Sequence, residues 1–161
     1  MKRHLLAIGL FSSFALAAVA VAAPELKPAQ EEAQASFEKE VEEPLKRMND
    51  KCGTKVTVKT DFENFKTETW GRTDPGSYCA LALRGVDVMC ERPAYKKQIV
   101  KKITTVSCLL AGAKPKAAKD GTNEETLRNM TLEKSSFVYR MGFDHTNVTD
   151  NTKTTLEKAL N

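Results

Sequence analysis

Residues 74–110 read DPGSYCALALRGVDVMCERPAYKKQIVKKITTVSCLL, and the fold turns on how this stretch is read. It carries three of the four cysteines, Cys79, Cys90 and Cys108, together with the densest lysine cluster of the chain. Two readings compete. In the first, residues 78–83 and 86–91 form a hairpin around Arg84-Gly85. Leu83 then faces Val86, Leu81 faces Val88 and Cys79 faces Cys90, a register that allows a cross-strand disulfide. In the second, Asp74 caps a helix that has Pro75 at its first position and stops before Pro93. Cys79, Leu83, Val86 and Cys90 then lie on one face. The helix is favoured because it has both a start and a stop signal, and because Ala80, Leu81, Ala82 and Leu83 suit a helix better than a strand. Arg-Gly is also a weaker two-residue turn than Asn-Gly. Gly85 costs the helix about 1 kcal/mol relative to alanine, which does not reverse the choice.

The helix decides the disulfides. Cysteines 11 residues apart on a helix are separated by about 16 Å, far beyond bonding reach. Cys79 and Cys90 must therefore bond to Cys52 and Cys108. A helix returning antiparallel to the first strand brings Cys90 back beside Cys52, which leaves Cys79 for Cys108. The expected bonds are Cys52–Cys90 and Cys79–Cys108; a Cys79–Cys90 bond would instead mean the hairpin.

Upstream, residues 1–22 read as a signal peptide. Lys2 and Arg3 precede an apolar, Ala-rich run, and Ala20-Val21-Ala22 supplies the small-x-small cleavage pattern. The competing reading is an uncleaved anchor, since residues 5–23 carry no charge. An even cysteine count in an exported chain reads as two disulfides. Zinc is not expected: there is no C-x-x-C pair and, beyond the leader, His145 is the single histidine. Losing Lys2 and Arg3 lowers the formal charge from +4 to +2, too little to indicate nucleic acid binding.

The remaining chain divides into an extended spacer at 23–28 and one domain at 29–161. Phe37, Val41, Leu45 and Met48 place one apolar face on a helix over 29–51, with Gly53 as its stop. Pro44 predicts a kink or break in it. Residues 54–62 alternate as a strand, and 63–77 read as a loop. Pro93 opens a short helix, followed by a strand from about residue 102. Residues 111–125 read as a mobile loop, and 127–143 as strand, with a turn or bulge at Ser135-Ser136. Asp150 or Asn151 caps a last helix. The sum is an α+β domain: a small, mainly antiparallel sheet of three or four strands, an N-terminal helix, a central disulfide-tied helix and a C-terminal helix.

Chemistry is sparse in the sequence. One histidine beyond the leader removes a paired-histidine acid/base site, and there is no G-x-S-x-G. His145 itself reads as a solvated loop residue. Trp70, Arg72 and Tyr78 form a candidate contact surface, with Trp70 either presented to a partner or folded back over the core. Arg92, Lys96, Lys97, Lys101 and Lys102 form a basic patch, most simply a solvated face. The function expected is that of a periplasmic or secreted, non-catalytic binding or envelope-associated protein. It needs no cofactor or metal, it has no membrane anchor after cleavage, and its partner is a protein or envelope component. Two alternatives are a small hydrolase using Asp61 and Asp144, and a secreted toxin inhibitor or effector.

Overall fold

The computed structural model of the protein describes residues 25–71, 73–114 and 122–161, so the leader lies outside the described residues. Helix α1 spans Pro28–Cys52 and buries Phe37, Val41, Met48 and Cys52. It ends where Gly53 turns to φ +71°, its N–H bonded to the carbonyl of Asn49. The expected break at Pro44 is not found: α1 runs through it. Pro44 leaves the carbonyl of Glu40 without its helical donor. Glu40 is exposed, so water can take that donor's place.

The stretch at 74–110 folds as helix, helix, strand. Helix α3 spans Pro75–Met89, preceded by a short helix α2 at Thr67–Trp70 in the segment expected to be loop. Asp74 caps α3 by accepting from the Gly76 N–H at 2.8 Å. Helix α4 spans Pro93–Lys102, and strand β2 spans Thr105–Leu109. The disulfides are Cys52–Cys90 and Cys79–Cys108. The first ties the end of α1 to the end of α3; the second ties α3 to the sheet.

The sheet corrects the expectation of mainly antiparallel pairing. Strand β1 is Thr57–Lys59, β3 is Met130–Glu133 and β4 is Ser136–Arg140. Their order is β1-β2-β4-β3. The β1–β2 and β2–β4 pairs are parallel, and only the β3–β4 hairpin, which turns at Lys134 and Ser135, is antiparallel. Parallel pairing follows from the connections. From β1 the chain reaches β2 through α2, α3 and α4, the long crossover that parallel neighbours need. Helix α5 (Thr122–Arg128) lies between β2 and β3, within the run expected to be strand or loop. The rest of the expected mobile loop, from 115 to 121, lies outside the described residues.

Val106 and Cys108 of β2 and Phe137 and Tyr139 of β4 join one core with Leu83, Val86 and Met89 of α3. Helix α6, Val148–Leu160, adds Val148, Leu156 and Leu160. It begins after Asn147, a non-glycine residue at φ +52°, three residues before the expected cap at Asp150. Two glycines let α3 approach its neighbours closely. A Cβ on Gly76 would lie 2.7 Å from the Glu40 Cβ of α1, and one on Gly85 would lie 2.5 Å from the Thr152 Cβ of α6. Gly85, costly for a helix in isolation, is what the α3–α6 contact requires. Asp87, also on α3, is buried and meets Arg47 and Lys51 of α1, each at 3.5 Å.

Two disulfides place the chain in an oxidising compartment. Among the described residues no helix is long and apolar enough to cross a membrane.

Candidate ligand pocket

Parallel strands end their ladder by turning out of the sheet together, and ligands bind in the crevice at their carboxyl ends. Here β2 and β4 run in parallel to Leu109 and Arg140. The segments that follow, 110–114 and 141–147, diverge around a cavity of about 280 Å³. Trp70 and Phe143 line it, with Lys114, Glu125, Asp144 and His145 as its charged or ionisable groups.

Asn129 braces the segments around the cavity. It is buried, and its Oδ1 accepts from the Lys114 N–H at 2.7 Å. Its Nδ2 donates to the Glu125 carbonyl at 2.9 Å, and its own carbonyl accepts from the Arg140 N–H at 2.9 Å. The Asn129 side chain thus ties the exit of β2 to α5, and its backbone carbonyl ties both to the end of β4.

His145 is not the solvated loop residue expected; it is 6% exposed. It stacks on Tyr139, with ring centroids 5.6 Å apart. Gly142 explains the fit, since a Cβ there would lie 2.7 Å from Nε2. The Gly142 N–H points at Nδ1 from 3.1 Å, and the Tyr139 hydroxyl lies 3.0 Å from the same nitrogen. A backbone N–H needs a lone pair to meet, so Nδ1 is the acceptor and the neutral ring carries its proton on Nε2. Nε2 and Asn129 Nδ2, 3.4 Å apart, are then two donors in contact. Burial lowers the imidazole pKa, against the opposing pull of Asp144 and Glu125. Burial also raises the Tyr139 hydroxyl pKa far above the ordinary phenol value.

A carboxylate oxygen from each of Glu125 and Asp144 and a ring nitrogen of His145 all lie within 4.8 Å of one another. Glu125 is only 6% exposed, whereas Asp144 is exposed. No hydrogen bond or ion pair reaches the Glu125 carboxylate among the described residues.

Of the contact surface expected at Trp70, Arg72 and Tyr78, the structure brings two members together. Trp70 is 3% exposed and meets Tyr78 edge to face at 5.8 Å. The Tyr78 hydroxyl donates to the Phe143 carbonyl, so this pair braces the pocket wall. Burial, and then the Asp144 charge, raise the Tyr78 pKa. Arg72 lies outside the described residues.

Asp61 and Asp144 do not share the cavity. Strand β2 separates β1 from β4, and Asp61 accepts from the Leu110 and Ala111 N–H groups at 2.5 and 3.2 Å. The basic patch is divided too. Arg92 pairs with Glu157 and lies 4.4 Å over the Tyr95 ring, and Lys96 donates to the Lys51 carbonyl. Lys97 and Lys101 are exposed on α4, and Lys102 is half-buried.

Glu125, Lys114 and Gly142 carried no local motif, and Asn129 was marked only by the Asn129-Met130-Thr131 sequon it opens. Asp144-His145 after an aromatic strand was the one visible signal. No family model matches the chain, nor does any characterised protein or solved structure.

Proposed function

We propose that this is an exported protein, periplasmic or secreted, that binds a small ligand without transforming it, in the cavity at the carboxyl ends of β2 and β4. The observation that carries this reading is the pairing of a polar cavity lining, Lys114, Glu125 and Asp144, with a basic nitrogen that is already engaged. Nδ1 of His145 accepts from the Gly142 N–H, so the ring has no free lone pair with which to activate a nucleophile. Thr69 supplies the one hydroxyl among the lining residues. Trp70 and Phe143 supply apolar wall, and Glu125 and Asp144 supply ligand-holding charge. The two disulfides and the signal-like leader support export.

Trp70 is the single tryptophan, so its emission reports on the cavity directly. A screen of cationic, anionic, sugar-like and neutral compounds should yield saturable emission changes that Phe143→Ala and Asp144→Asn weaken. No response from any class would sink the pocket reading. Turnover of glycoside or ester substrates that disappears in both Asp61→Asn and Asp144→Asn would establish the hydrolase instead.

A further inference from the structure

Taking the cavity as a binding site, as proposed above, we infer that its ligand is a small primary ammonium compound with an apolar body, held between the carboxylates of Glu125 and Asp144. The first ground is Glu125 itself. Glu125 is 6% exposed, and none of the described residues bonds its carboxylate. It lines the cavity, with the Asp144 carboxylate beside it, so two negative groups converge where a positive one is missing. Lys114 also lines the cavity but makes no ion pair with either among the described residues.

The second ground is geometry. An ammonium nitrogen bonded to two carboxylate oxygens at about 2.8 Å along tetrahedral directions holds them about 4.6 Å apart. The oxygens here lie within 4.8 Å of one another. A divalent metal would draw on the same cluster and needs a lone pair on the imidazole. Metal at Nε2 requires a proton on Nδ1. That position already receives the Gly142 N–H at 3.1 Å and the Tyr139 hydroxyl at 3.0 Å. The ring therefore presents Nε2–H, which does not coordinate.

The third ground is the wall. Trp70 and Phe143 present aromatic surface beside the carboxylates, and Phe143 is 51% exposed with its backbone carbonyl held by Tyr78. Aromatic faces attract cations and cover an alkyl chain. A hydrated metal ion has no use for such a wall.

The test uses n-butylammonium against its neutral counterpart n-butanol, with calcium and zinc chlorides in parallel, on the intact disulfide-bonded protein. Trp70 emission and calorimetry report binding. Butylammonium should saturate the site, and butanol should bind at least tenfold more weakly. Glu125→Gln should weaken butylammonium by tenfold or more, and Asp144→Asn by a smaller factor, with unchanged thermal midpoints showing that both variants fold. Equal affinity in Glu125→Gln, or zinc displacing butylammonium one for one, overturns the inference. If an anionic or neutral compound from the wider screen fills the cavity while ammonium compounds do not, only the ligand class is wrong. If nothing binds, the pocket reading falls with it.

Discussion

His145 is fixed by what surrounds it: Tyr139 against its face and the Gly142 N–H on Nδ1. Such a ring resists a second proton, because protonating Nδ1 sets a donor against the Gly142 N–H. Burial acts in the same direction and holds the pKa below its ordinary 6.5. Below that value the unfolded chain takes up a proton that the folded chain refuses, so stability falls as pH drops through the folded pKa. Above about 6.5 the contribution is complete. Thermal midpoints at pH 7.5 and pH 5 should therefore fall further for the natural protein than for His145→Gln. What matters is the difference in slope, since the substitution also removes packing at both pH values. Equal slopes would mean that the folded ring titrates normally.

Among the elements, α1 and α3 each contain a residue that helix propensity disfavours, and the two differ in consequence. Gly85 lies where α3 meets α6, and the Thr149 carbonyl is 2.8 Å from where its Cβ would be. On an open helix Gly→Ala gains about 1 kcal/mol. Here the methyl must push α6 away, and overpacking of this kind costs about 1–3 kcal/mol. Gly85→Ala should destabilise the protein, as a chemical-denaturation midpoint will register. Pro44 is half-buried within α1 and removes one helix donor. Alanine there restores the N–H that the Glu40 carbonyl lacks, so Pro44→Ala should stabilise the protein by about 1–3 kcal/mol. A loss of stability would mean that the proline ring packs against something the helix needs. Both positions were visible in the sequence as local penalties. Only the packing of α3 on α6 distinguishes the needed residue from the dispensable one.

At the scale of the whole molecule, what was legible depended on range. The central helix was readable from Asp74-Pro75 and Pro93 alone, and helix geometry then excluded a Cys79–Cys90 bond. Parallel pairing was not readable. Strand β1 shrinks to Thr57–Lys59, and its partner β2 lies beyond two long helices, so no local pattern marks the pair. The candidate site was hidden for the same reason: Glu125, Asn129 and His145 meet only once β2 and β4 lie side by side. The disulfides hold that arrangement unequally. Cys52–Cys90 closes a separation of 38 residues and Cys79–Cys108 one of 29. Loop entropy alone makes each worth about 4 kcal/mol and favours the longer by a few tenths. Position reverses the order. The Cys52–Cys90 bond joins helices that also meet through Asp87 with Arg47 and Lys51, and through Lys51 with Glu91 at 2.6 Å. The Cys79–Cys108 bond is the covalent tie between the helical layer and the strand that opens the pocket, and both of its cysteines are fully buried. Replacing Cys79 and Cys108 with alanine should therefore lower the denaturation midpoint more than the same change at Cys52 and Cys90. It should also alter Trp70 emission in the folded state, which the other pair should leave unchanged. A larger loss at Cys52 and Cys90 would mean that chain entropy outweighs the anchoring of α3 to β2.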